Sequence, residues 1–62
     1  MNAIVTRKNA DGTYDEVGMR NRTALTAIGV DAIRRKARPF APCRVEVFAC
    51  NSFAAPLSTI YL

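Results

Sequence analysis

The sequence predicts an α+β domain: one helix packed on one face of a four-stranded, mostly antiparallel sheet, in the order ββαββ. Three observations carry this. Residues 43–49 alternate apolar and polar, Asp11-Gly12 punctuates two strand-like stretches, and residues 23–36 hold apolar side chains at helical spacing ahead of a proline. With 62 residues, half of them hydrophobic, the chain (1–62) holds a single domain with a thin core.

The first strand is read at 3–7 (AIVTR), short and β-branched. Asp11-Gly12 then turns the chain, because glycine accepts positive φ and aspartate tolerates it. Residues 13–19 (TYDEVGM) follow with partial alternation as the second strand of a hairpin, Gly18 marking a bulge or its end. The helix is read from Thr23 to Lys36. Leu25, Ile28, Ala32 and Ile33 form its apolar stripe, Asn21 or Thr23 caps it, and Gly29 lies inside it at a cost of about 1 kcal/mol. Pro39 disfavours αR at Arg38 and stops the helix, while Arg34, Arg35 and Lys36 suit its negative end.

Pro39-Phe40-Ala41-Pro42 reads as a stiff extended connector. In 43–49, Cys43, Val45, Val47 and Ala49 face one way, and Arg44, Glu46 and Phe48 the other. Cys50-Asn51-Ser52 begins a turn, and 57–62 (LSTIYL) forms the last strand, with Pro56 at its entry. Setting the first strand beside the third gives the order 2-1-3-4, in which every neighbour is antiparallel.

Composition narrows the chemistry. Nine Lys plus Arg against five Asp plus Glu give +4; residues 1–33 cancel at four of each sign, so the excess lies in 34–62. Histidine is absent, so acid–base work near neutral pH falls to a perturbed carboxylate or cysteine. Asp15 and Glu16 are adjacent on a predicted strand and point to opposite faces; Asp11 serves a turn and Asp31 an exposed helix position. A Cys43 nucleophile has no histidine base, although Arg44 beside it would lower its pKa. Gly12, Gly18 and Gly29 are too scattered for a phosphate loop.

Cys43 and Cys50 lie about 20 Å apart along one strand, beyond the roughly 4.4–6.8 Å between Cα atoms that a disulfide needs. Without histidine they complete no four-ligand zinc site. They read as small buried hydrophobes, with an intermolecular bridge as the other reading. No enzyme activity, cofactor or metal is therefore expected. No leader pattern opens the chain, and 53–62 is interrupted by Pro56, Ser58 and Thr59. That stretch is well short of the roughly 20 apolar residues of a span. A cytoplasmic protein off the membrane is expected.

Two surfaces are candidates for binding. Arg34, Arg35, Lys36 and Arg38 put four cations in five residues. They read either as a solvated helix end or as a patch for phosphates or an acidic protein surface; arginine outnumbering lysine seven to two favours the patch. The second candidate is the sheet face away from the helix, with Arg44, Phe48, Tyr14 and also Tyr61. Arginine with aromatics suits base stacking or a protein hot spot, and equally suits ordinary cross-strand packing. The last strand, poor in charge, invites pairing with another sheet, so a homodimer is weighed beside a monomer.

In AIVTR–turn–TYDEVGM, TALTAIGVDAIRRK and the pair CRVEVFA and LSTIYL, the chain resembles small phage-encoded accessory proteins, including anti-CRISPR inhibitors of type I systems. The likeness spans most of the chain but concerns the order of elements and transfers no functional residue. It implies a rigid, cofactor-free plug that blocks a host protein or ribonucleoprotein complex of a defence system. A small basic DNA- or RNA-binding protein is the alternative.

Overall fold

A computed structural model describes residues 1–14, 21–49 and 55–62. Its elements are β1 (Asn2–Arg7), β2 (Arg22–Thr26), α1 (Val30–Ala37), a 3-10 turn (Arg38–Phe40), β3 (Cys43–Phe48) and β4 (Ser58–Tyr61). The sheet order is β2-β1-β3-β4, every pair antiparallel. Fold class, strand order and the ββαββ sequence of elements agree with the expectation. Two boundaries do not.

The first correction concerns β2. The strand beside β1 is Arg22–Thr26, the stretch assigned to the start of the helix. Thr13 and Tyr14 are not strand, and the remainder of the expected strand, 15–19, lies outside the described residues. Thr23, Leu25 and Ala27 turn one way and Ala24 and Thr26 the other, a period of two hidden beneath a helix-like spacing. The Asp11-Gly12 turn forms as expected: Gly12 has φ +88° and donates to the Asn9 carbonyl at 3.0 Å. The chain then rejoins β1 at Asn21, whose carbonyl accepts from the Arg7 N–H at 2.7 Å.

The second correction is the helix, which begins at Val30 and not at Thr23. Gly29 is its N-cap, at φ +92° and ψ 154°, a backbone state that residues with a Cβ rarely adopt. The glycine read as a helix-interior cost is the hinge between β2 and α1. At the other end Arg38 keeps αR dihedrals (φ −53°, ψ −41°) despite preceding proline. Pro39 sits in the first turn of the 3-10 segment, where its missing N–H leaves no bond unmade. The expected extended connector therefore starts only at Ala41 (φ −62°, ψ 145°), ahead of a cis Ala41–Pro42 bond.

Ile33 and Ala37 of α1 are fully buried against Ala3, Val5, Cys43, Val45 and Val47 of the sheet. Met1, Leu25, Phe40, Ile60 and Leu62 close the margins of this core. Opposite partners share a face, so Ala3, Val47 and Leu25 form one row under the helix, and Val5, Val45, Thr23 and Ile60 the next. The core is thus one helix turn deep, as a chain of this length permits. Among the described residues no helix is long and apolar enough to cross a membrane.

Candidate functional site

The two predicted surfaces lie on opposite sides of the sheet, so no single flat partner touches both. On the helix side the four-cation cluster divides. Residues 33 and 37 point inward, which sends Arg35 outward and leaves Arg34 and Lys36 on opposite flanks, with Arg38 exposed just past the helix end. Lys36 donates through Nζ to the Thr26 carbonyl at 2.8 Å. Arg34 meets the Asp31 carboxylate at 3.6 Å, one helical turn back. Among the described residues the Arg35 and Arg38 guanidinium groups meet neither an acid nor a carbonyl.

The N-terminal end of this same surface carries a residue that sequence reasoning assigned to the core. Ile28 is 97% exposed. It stands one residue before the Gly29 cap, where an apolar side chain often folds back on the helix residue five positions on, here Ile33. Ile33 is turned into the core instead, and Ile28 projects outward. The misplacement follows from the helix boundary: a stripe drawn through Leu25, Ile28 and Ile33 has no meaning once the helix starts at Val30. The available signal was glycine directly after an isoleucine at the end of a threonine-rich strand.

On the opposite face, register brings together residues that sequence spacing keeps apart. Thr6 of β1 lies beside Arg22 of β2 and Arg44 of β3, and Arg44 lies beside Tyr61 of β4, giving one row across all four strands. Arg44 lies 5.5 Å from the Tyr14 ring centroid and 3.4 Å from a Glu46 carboxylate oxygen. Tyr14 in turn meets Tyr61 edge to face, with centroids 5.7 Å apart. These contacts tie the segment after β1 to β3 and β4. Phe48 belongs to this face as expected, yet it is 6% exposed and offers little surface. Among the described residues the buried Thr6 hydroxyl has no hydrogen-bond partner.

The described titratable groups are mostly engaged in structure. The Asp11 carboxylate accepts from the Thr13 hydroxyl at 2.6 Å and from its N–H at 3.0 Å. These bonds hold its pKa below the ordinary 3.8. Cys43 is buried, its Sγ lies 3.8 Å from the Ala37 carbonyl, and burial pushes its thiol above the ordinary 9.0. Arg44 lies on the opposite face of β3, paired with Glu46, and the Cys43 thiol is raised by burial, not lowered by its neighbour. Among the described residues no group of three metal-ligating side chains forms. Asp15, Glu16 and Cys50 lie outside the described residues. No protein-family model, curated protein or solved structure matches the chain.

Proposed function

We propose that this chain is a non-enzymatic binding protein that occupies the surface of a host protein or ribonucleoprotein complex, in the manner of small phage-encoded inhibitors such as anti-CRISPR proteins. The observation that carries the reading is the fully exposed Ile28 at the head of a helix whose outer side bears Asp31, Arg35 and Arg38. A lone exposed isoleucine is ordinary on protein surfaces. With Arg35 and Arg38 toward the other end of the same helix, unpaired among the described residues, it supplies what a protein interface uses: an apolar anchor, worth about 1.5–3 kcal/mol when buried, and charge for its rim.

The division of the cation cluster favours a protein target over a phosphate backbone. Lys36 and Arg34 each have a solvent-exposed partner within the chain, which leaves Arg35 and Arg38 as the cations without one on this side among the described residues. Two neutralised phosphates give a salt slope of only about −2 in log–log terms. The engaged carboxylates and the buried, raised thiol of Cys43 support a role without chemistry. The nucleic-acid reading draws on the other face, where Arg22, Arg44, Tyr14 and Tyr61 combine cations with aromatic rings.

Titration against duplex and single-stranded nucleic acid at two salt concentrations separates the readings. The proposal expects no tight, steeply salt-dependent binding. Such binding, lost on Arg22→Glu and kept on Arg35→Glu, would transfer the function to the sheet face.

A further inference from the structure

The two edges of the sheet are not alike. In an antiparallel sheet alternate residues turn their N–H and C=O groups to opposite neighbours. Ala27 exchanges bonds with Met1, and Asn21 accepts from Arg7, so β2 turns residues 22, 24 and 26 outward. That edge is guarded: Lys36 occupies the outward Thr26 carbonyl at 2.8 Å, and Arg22 adds a charge. Lysine and other charges on an edge are the usual means of refusing another strand.

Among the described residues the β4 edge has no such guard. Cys43 and Leu62 exchange both bonds, at 3.0 and 2.9 Å, which turns Leu62, Ile60 and Ser58 toward β3. Thr59 and Tyr61 therefore direct their N–H and C=O groups away from the sheet. Residues 55–62 carry no charged side chain. Among the described residues, two of the three exposed large hydrophobic side chains, Leu57 at 61% and Tyr61 at 64%, lie along this edge.

We infer that β4 pairs with β4 of a second copy across a two-fold axis at Ile60, joining two sheets into one of eight strands. The register follows from geometry. Thr59 and Tyr61 lie two residues apart, so antiparallel pairing of Thr59 with the second copy's Tyr61, and the reverse, makes four backbone hydrogen bonds. Side chains on the helix face stay on that face, and Ile60 meets its own counterpart in the closely spaced, non-hydrogen-bonded position. Ile60 already packs against the core, so the apolar layer becomes continuous between copies. Shifting the register by one residue would set helix-face side chains beside outer-face ones.

The occupant is a second copy because the outward pattern is its own complement and because charge does not oppose it. Each chain carries +4, yet Lys36 of α1 is held at the β2 edge, Arg34 is paired with Asp31, and Arg44, which lies beside Tyr61 of β4, is paired with Glu46. A four-residue edge is smaller than the roughly 1,200 Å² of a standard stable interface, so the dimer is reversible.

Amide spectra of the uniformly labelled chain are recorded from about 10 µM to about 1 mM, a range that spans weak association. The Thr59 and Tyr61 amides are expected to shift with concentration, while those of Ala24 and Thr26 do not. Thr59→Pro removes an outward N–H and no bond within the chain, and it should abolish the shift. Thr59→Lys, which faces Glu46 across the ladder and preserves the strand, should weaken association at least tenfold. Concentration-independent Thr59 and Tyr61 amides overturn the inference. So does a shift confined to β2 or α1, or one that survives both substitutions in folded protein.

Discussion

Replacing Gly29 with alanine isolates one backbone term. Gly29 holds φ +92° and ψ 154°, and a Cβ built there meets nothing within 4 Å. No clash with neighbours contributes, so the cost is the intrinsic strain of placing an L-residue in glycine-only space, about 1–3 kcal/mol. Against the roughly 3–9 kcal/mol expected for a chain of this size, that is a large fraction. With a urea dependence near 1 kcal/mol per molar, the midpoint should fall by about 1–3 M. The opposite boundary predicts the opposite sign: glycine inside a helix running from residue 23 would make Gly29→Ala stabilising by about 1 kcal/mol. Equilibrium urea unfolding followed by circular dichroism reads this directly. An unchanged or raised midpoint would refute the assignment of Gly29 as the joint between β2 and α1.

Three further outcomes follow from the same packing. Ile33→Ala, at a fully buried position, should cost about 2–5 kcal/mol and lower the melting temperature sharply, whereas Ile28→Ala should stay within about 0.5 kcal/mol; thermal melts of the pair compare them. In a Cys50→Ser background, native Cys43 should resist alkylation until the protein is denatured, as read by intact-mass spectrometry. Its raised folded pKa contributes stability in full below the ordinary thiol value of 9.0, and that contribution is lost as pH climbs through the folded value. For Asp11, whose folded pKa is depressed, the sign reverses: the turn is supported above pH 3.8 and loosens as pH falls through the folded value, seen as faster Thr13 amide exchange relative to β1.

Strands were legible where alternation and burial agree. Val45 and Val47 face the core while Arg44 and Glu46 do not, so β3 matches its pattern to within a residue, and β1 and β4 do likewise. The failure at 23–28 has a physical origin. Leu25, Ile28 and Ile33 satisfy helical spacing by coincidence, because a strand and a helix joined by a turn can place apolar residues at the same intervals. Two β-branched threonines and a glycine argued for strand and turn, but a continuous stripe outweighed them. The site was less legible for the same reason: Ile28 changes from core residue to a 97% exposed one when the boundary moves seven residues. The row Arg22, Thr6, Arg44, Tyr61 depends on register between strands far apart in sequence, which no local pattern encodes.

The helix side, through Ile28 at one end of α1 and Arg35 and Arg38 toward the other, is proposed to engage a protein. Parallel affinity capture from a bacterial host lysate, run with and without nuclease treatment, tests it most directly. Four baits are compared: the parent chain, Ile28→Asp, the double variant Arg35→Glu/Arg38→Glu, and the sheet-face variant Arg22→Glu, each first checked for folding. The account predicts a defined protein partner held by the parent and by Arg22→Glu, and lost from the two helix-side variants. Equal capture by all four, or loss only from Arg22→Glu, would contradict it.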